Sequence, residues 1–254
     1  MQFSTIYYLT ICAPTIEKSL KMIDEYVDHG ARDFQLDIPS ENPVFETELV
    51  KAYMRGALEQ YVGYDPYLNA LRTVRKRHED INLHLVLYPD VIHAIGIGNL
   101  REFVDENRIA SIMVAGGDSG VLADLRMAGI PTIERIDRTL NDEQLRQFSA
   151  YSGKCYLNLN YKRHSELQPH GCVSFKEKVD YIRNAGVRAR ILAVEGISSG
   201  QMMREVRESG VDGALLGNAL MRLWNDEKAL WDMFETFQEA AQCRIENVKG
   251  GTPE

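Results

Sequence analysis

The chain has no run of about 18 apolar residues, the minimum for a membrane-spanning helix. Its N-terminal "MQFSTIYYLTICAP" has no basic region ahead of the short apolar run, so a secretory leader is disfavoured and a cytoplasmic location is expected. Basic side chains are outnumbered: Lys and Arg total 29 against 37 Asp and Glu, a formal charge of −8 with no basic stripe. That balance disfavours a nucleic-acid or anionic-membrane surface, although a local pocket can still hold a small phosphate. Cysteine is scarce. Cys12, Cys155, Cys172 and Cys243 are widely spaced with no Cys-x-x-Cys pair, which argues for reduced thiols rather than a zinc site or a disulfide framework. No Gly-x-Gly-x-x-Gly turn opens an early helix, which ranks an open doubly wound sheet second. No Ser-His-Asp arrangement or reactive cysteine stands out. No lysine is securely placed inside a strand, as a Schiff-base aldolase needs, unless Lys162 reaches back into a pocket.

What is present is a repeated unit. With 254 residues, 44% hydrophobic and 26% charged, the chain can bury a large core as one globular domain. Segments such as "DEYVDHGARDFQLDI", "ADLRMAGIPTIERI", "DYIRNAGVRARILAV" and "REVRESGVDGALLG" share one pattern: an amphipathic helix, a glycine near its end, then a short aliphatic run. Glycine there suits the left-handed position that ends a helix, and the run that follows reads as a buried strand. In the first helix Ile16, Leu20, Ile23 and Val27 form the expected apolar stripe. Strands are expected at Thr5–Ile11, Phe34–Ile38, Asn82–Tyr88, Ser111–Ala115, Pro131–Ile136, Cys155–Asn160, Arg190–Val194 and Gly213–Leu216. Each is followed by a helix pattern, which is the arithmetic of a single-domain α/β TIM barrel, (β/α)₈, over residues 1–247 with a tail at 248–254.

In such a barrel alternate strand residues point inward, and those near the C-terminal ends reach the active-site mouth. If Phe34, Leu36 and Ile38 face the helices, Gln35 and Asp37 point inward. In "CYLNLNYK" Leu157 and Leu159 suit the helix side, leaving Tyr156, Asn158 and Asn160 inward with Lys162 just beyond. The fifth strand puts either Arg135 or Glu134 inward.

The blocks "LTICAPTIEKSLKMIDEYVDHGARDFQLDIPSENP", "KAYMRGAL", "LYPDVIHAIGIGNLREFVDE" and "VEGISSGQMMREVRESGVDGALLGNALM", in this order from about Tyr7 to Trp224, resemble the tryptophan synthase α chain family. The resemblance implies a (β/α)₈ barrel, metal-free retro-aldol cleavage of indole-3-glycerol phosphate, and phosphate held by the loops after the last strands. It also implies changed chemistry. The family's catalytic Glu on the second strand corresponds to Gln35, which cannot shuttle a proton. Its second catalytic carboxylate falls at Glu46, or at Glu48 if a loop residue is missing. Asp37 stands where the family has Gly. Glu195 replaces an aromatic residue against which indole would pack, while Tyr8 and Tyr88 match ring-contacting positions. The stretch used against the β subunit reads "AGGDSG", which counts against that partner, although Pro43 is retained.

The expected phosphate site is Gly196, Ile197 and Ser198 with Gly217 and Asn218, because backbone amides at helix N-termini attract dianions; the plain alternative is that these residues only make tight turns. Asp37 with Glu195 is the preferred acid/base pair, with Glu46 as a further proton carrier and an ion pair to Arg135 as the structural alternative. Tyr8, Gln35, Tyr88, Arg135, Asn158, Asn160 and Lys162 are the expected substrate contacts. No cofactor is required; Asp37, Glu195 and an inward His84 are the one set that would suit Mg²⁺. His84 otherwise reads as a hydrogen-bonded core histidine. The expectation is a stand-alone lyase or isomerase of a small polar phosphorylated metabolite. Indole-3-glycerol phosphate cleavage with relocated carboxylates, or a non-catalytic binding barrel, are the alternatives. Barrel surfaces vary freely, so a homo-oligomer is neither required nor forbidden.

Overall fold

The structure, a computed structural model, describes residues 3–11, 13–158 and 169–242. Eight parallel strands, β1 (Ser4–Thr10), β2 (Asp33–Asp37), β3 (Asn82–Leu87), β4 (Ile109–Val114), β5 (Thr132–Arg135), β6 (Lys154–Asn158), β7 (Arg190–Val194) and β8 (Gly213–Leu216), pair in chain order, and β8 closes on β1. Around them lie α1 (Ile16–Asp28), α2 (Glu48–Gln60), α3 (Asp65–Arg77), α4 (Pro89–Ile95), α5 (Ile97–Glu106), α6 (Ser119–Met127), α7 (Asp142–Ser149), α8 (Phe175–Asn184), α9 (Gly200–Glu208), α10 (Asn218–Met221) and α11 (Glu227–Gln242). The expected (β/α)₈ barrel is therefore the fold; the β7 and β8 bounds match the sequence reading, the other described strand ends lie within two residues of it, and the expected end of the sixth strand at Asn160 lies outside the described residues. The expected tail lies outside the described residues. None of the described helices is long and apolar enough to cross a membrane.

The helix-ending glycine behaves as its position in the repeat requires. Gly30 takes φ 94° just past α1, a conformation that a Cβ would strain, and Gly129, Gly186 and Gly210 do the same after α6, α8 and α9. The face of α1 differs from the expected stripe: Ser19, Met22, Ile23 and Tyr26 are buried, while Ile16, Leu20 and Val27 are only partly so. Local bonds and aromatic packing cause this rotation. The Ser19 hydroxyl donates to Thr10 O at 3.2 Å and accepts from Ala13 N at 2.9 Å, and the Tyr26 ring packs edge-on against Tyr7 and Phe234.

Two apolar layers result. Phe34, Leu36 and Ile38 pack with the helices, whereas Ile6, Ile133, Tyr156, Leu192 and Val194 form a separate cluster inside the barrel. Inward parity on β2, β5 and β6 follows directly, and Arg135 rather than Glu134 shares the inward side of Ile133. Glu134 instead pairs with Arg126 of α6.

Helix α11 locks onto β1 through stacked rings, with Tyr7 and Phe234 centroids 4.7 Å apart at 15°. Phe234 is fully buried and also meets Tyr26 and Trp231. Phe234→Ala is expected to cost about 3–5 kcal/mol, read as a lower midpoint in urea unfolding with little change in slope. A loss under about 1 kcal/mol would mean that α11 contributes little to closing the barrel.

Candidate active site

At the C-terminal mouth, β1 and β2 place Tyr8 and Asp37 side by side on the inner face, where Tyr8 pairs in register with Gln35 and Thr10 with Asp37. The Tyr8 hydroxyl donates a short hydrogen bond to Asp37 Oδ2 and lies 3.2 Å from Glu46 Oε2; the Tyr88 hydroxyl lies 3.3 Å from Glu46 Oε1. Asp37 is fully buried, and its Oδ1 has no hydrogen-bond partner among the described residues. Glu46 keeps a partly exposed edge toward the mouth.

Glu46 is carried by the loop between β2 and α2, which Asp90 at the start of α4 holds in place. Asp90 accepts from the Ser40 hydroxyl at 2.9 Å and from Glu41 N at 3.0 Å, while Asn42 N donates to Ser40 Oγ at 3.0 Å. Past the bend Glu46 N donates to Pro43 O at 3.2 Å, and Thr47 caps α2. Asp90 and Ser40 did not stand out in the sequence, since a Ser and an Asp fifty residues apart carry no spacing signal.

Burial raises the Asp37 carboxyl well above the ordinary range and the nearby Glu46 charge raises it further, against the hydrogen bond from Tyr8. Burial also raises Glu46; Tyr8 and Tyr88 oppose this and the Glu195 charge adds to it. Burial raises the Tyr8 phenol, and the two carboxylates add to that rise. All these groups favour fewer negative charges.

Below this layer Gln35, 1% exposed, donates a short hydrogen bond to the Tyr156 hydroxyl across the barrel. The amide of Gln35 is thus engaged in a polar contact that spans the barrel. Lower still, at the opposite end of the strands, Lys154 Nζ is 2.9 Å from His84 Nε2, and His84 Nδ1 is 2.6 Å from Ser111 Oγ. Burial, then Lys154, pushes His84 down to about 3, so the imidazole is neutral. If the ammonium donates to Nε2, the ring proton sits on Nδ1 and is given to Ser111, which leaves the serine unactivated. One expectation changes and one holds. A strand lysine does exist, but Lys154 opens β6 at the floor and is remote from the mouth. His84 is a core histidine, as its plain reading had it, and does not join Asp37 and Glu195; among the described residues no three His, Cys, Asp or Glu side chains converge as a metal site.

Glu195 does not pair with Asp37 either. It follows β7 with φ 62° and lies 3.2 Å from Arg135 Nη2, both side chains being well exposed. The carboxylate beside Asp37 is Glu46, brought there by the loop. Gly196, Ile197 and Ser198 lead to Ser199, which caps α9, and Gly217 and Asn218 open α10. Gly217 also makes room for Tyr8, because a Cβ there would lie 2.9 Å from Tyr8 Cδ1. Thr47 Oγ1 donates to Asn218 Oδ1 at 3.4 Å, linking the Glu46 loop to that corner. Asn160 and Lys162 lie outside the described residues, as does the side chain of Asn158. Cys155 and Cys172 are buried free thiols.

Residues 2–249 match the family described as Tryptophan synthase alpha chain. The chain belongs to this family. Among curated members it is 22% identical to the tryptophan synthase alpha chain of Vibrio vulnificus, over 87% of this chain and 84% of that one. It is 26% identical to that of Photorhabdus laumondii, over 87% and 84%. Of solved structures, the alpha subunit from Legionella pneumophila superposes with a TM-score of 0.75 at 20% identity, covering 94% of this chain and 92% of that one. A chain of the tryptophan synthase α₂β₂ complex of Pyrococcus furiosus gives 0.73 at 18% identity, covering 92% and 97%. These likenesses are of the whole barrel, and the family's reaction is that of a lyase.

The titration of Asp37 has a stability consequence with a definite sign. Its folded value is raised, so the native state holds a proton that the unfolded chain releases near 3.8. The resulting stabilisation is complete below that value and is lost as pH rises toward and through the folded one. Asp37→Asn keeps a neutral donor toward Tyr8. It is expected to raise Tm at pH 7–8, at about 2–4 °C per kcal/mol gained, with the gain vanishing below about pH 4. Parallel Tm–pH curves for the two proteins would show that Asp37 is not buried as the acid.

Proposed function

We propose that this chain is a stand-alone carbon–carbon lyase of the retro-aldol type, or an isomerase, acting on a small polar phosphorylated substrate at the C-terminal mouth. The observation that carries the reading is the pair of carboxyl groups, Asp37 and Glu46, gathered by Tyr8 one layer above the amide Gln35. In an aldol cleavage a base takes the proton of a carbinol hydroxyl while the carbon–carbon bond breaks. The electron pair leaves on the departing carbon, which then takes a proton from an acid. Glu46, the partly exposed member, meets the substrate; Asp37 stands behind it as the second proton holder. In this reading the substrate's phosphate lies against the amides of Gly196, Ile197 and Ser198 and beside Gly217 and Asn218. Arg135 and Glu195 set a polar rim, and Asn158, Asn160 and Lys162 remain assigned to the substrate on sequence grounds alone. The chemistry needs no cofactor.

A second reading keeps indole-3-glycerol phosphate as the substrate. It is favoured by the apolar inner wall of Ile133, Leu192 and Val194 beside Met113 and by the two mouth tyrosines. Val44 and Phe45, 68% and 62% exposed on the loop that carries Glu46, would in that case be covered by a β subunit, as an α₂β₂ complex requires. Size-exclusion chromatography with and without a β subunit separates stand-alone from partnered chains.

Thermal denaturation against phosphorylated metabolites, indole-3-glycerol phosphate included, identifies the ligand: at about 100 times Kd a true one is expected to raise Tm by about 5–10 °C. With that substrate Glu46→Gln is expected to lower kcat by about 10²–10⁴-fold, and turnover within a few-fold of wild type would remove Glu46 from the mechanism. Gln35→Glu is expected to create indole-3-glycerol phosphate cleavage only if the substitution at this position is what separates the chain from its family's reaction.

A further inference from the structure

The proton count around Tyr8 decides how the two carboxyl groups ionise. Three close contacts join four groups: Tyr8 with Asp37, Tyr8 with Glu46 at 3.2 Å, and Tyr88 with Glu46 at 3.3 Å. The two phenols bring one proton each. Three hydrogen bonds need three protons, so the third has to sit on a carboxyl group; with both carboxyls ionised, one contact would set an oxygen lone pair against a negative oxygen.

We propose that Asp37 and Glu46 share a single proton through Tyr8, so that the pair carries one negative charge and Tyr8 is the conduit by which Glu46 is charged or discharged at the mouth. Two arrangements satisfy every contact. In one, Asp37 Oδ2–H donates to the Tyr8 oxygen, Tyr8 O–H donates to Glu46 Oε2, and Tyr88 O–H donates to Glu46 Oε1. In the other, Tyr8 O–H donates to Asp37 Oδ2 and Glu46 Oε2–H donates to the Tyr8 oxygen, with Tyr88 unchanged. Passing between them moves two protons one step each, breaks no hydrogen bond of the set and leaves the charge at −1. Glu46 is a base in the first arrangement and an acid in the second, which is what a cleavage that first removes and then returns a proton requires.

The surroundings hold the pair at one charge. Asp37 is fully buried and faces Thr10 across β1, while the neighbouring inward side chain on β2 is the uncharged Gln35. Lys51 of α2 favours the charge on Glu46 and Glu195 after β7 opposes it, with Arg135 of β5 paired to Glu195. Burial raises both carboxyls, and the Glu46 charge raises Asp37 further, as expected for two acids that cannot both ionise. Gly217 holds the conduit in place by letting the Tyr8 ring lie against β8.

The catalytic use of this proton rests on the mouth being the reaction site, but the sharing itself belongs to the resting protein and is measurable without substrate. The test is a ¹³C NMR pH titration of the side-chain carboxyl carbons in the full chain, assigned with Asp37→Asn and Glu46→Gln. In the wild type both signals are expected to move in the same two steps, separated by more than about one pH unit. Tyr8→Phe keeps the ring and removes the bridging oxygen, and the two steps are then expected to draw closer together, because only the through-space repulsion of the two carboxylates remains to couple them. Glu46→Gln gives an independent reading, with Asp37 expected to titrate at lower pH than the upper step of the wild type. Single, independent steps in the wild type would overturn the proposal, as would an Asp37 curve that Glu46→Gln leaves unmoved. Loss of indole-3-glycerol phosphate or sugar-phosphate binding with the coupled titration intact would instead strike at the functional reading alone.

Discussion

Closing eight parallel strands on one another dictates which side chains are sealed inside, and a polar group sealed there is costly unless it finds a partner. The repeat of helix, glycine and aliphatic run supplies strands whose alternate residues face the helices, and Phe34, Leu36 and Ile38 show that face on β2. Gln35 and Asp37 are then inside by parity, one in each of two successive layers. An unpartnered polar group in such a place is costly, and the interior answers with a stack of paired ones: Lys154, His84 and Ser111 at the floor, Gln35 with Tyr156 in the middle, Asp37 with Tyr8 at the mouth.

The same constraint separates structural from chemical residues. The floor network is closed, because neutral His84 has its two ring nitrogens engaged by Lys154 and Ser111. The middle contact joins two neutral groups and carries no proton that titrates near neutrality. Among the described residues only the mouth combines acids raised by burial with an edge open to solvent, and it is there that the loop after β2 delivers a second carboxylate. With the amide Gln35 in the middle layer and Asp37 in the next, the buried acid of β2 sits at the mouth, where Tyr8 and Glu46 tune it.

Family membership and mechanism rest on different features. The barrel matches its relatives over nearly the whole chain at identities of 14–26%, as expected when parity, helix caps and core volume are retained and individual side chains are free to change. Reaction specificity depends on a handful of side chains at the mouth, which can change while the barrel stays the same. A shared fold therefore does not carry the shared reaction with it.

Strand number and order, the inward parity of β2 and β6, and the glycines that end helices were legible in the sequence, whereas on the short β5 the choice between Arg135 and Glu134 was left to the structure. The face of α1 was not, since Ser19 and Tyr26 are buried by bonds to the turn after β1 and by rings on β1 and α11, contacts that no local period contains. Asp37 and Gln35 could be named from β-strand parity and Tyr8 and Tyr88 from the family resemblance, yet the partner of Asp37 stayed open between Glu46 and Glu195. Glu46 lies on a loop without periodicity, and only the clamp of Ser40 on Asp90 brings it to Tyr8. Glu195 was as near to Asp37 by counting, but its positive φ after β7 turns it to Arg135. The sequence by itself determined the barrel and the chemical types that face inward, because both are set by spacing along the chain. Which carboxyl groups meet, and through which hydroxyl, was decided by the tertiary structure, because that depends on how loops from different strands converge in space.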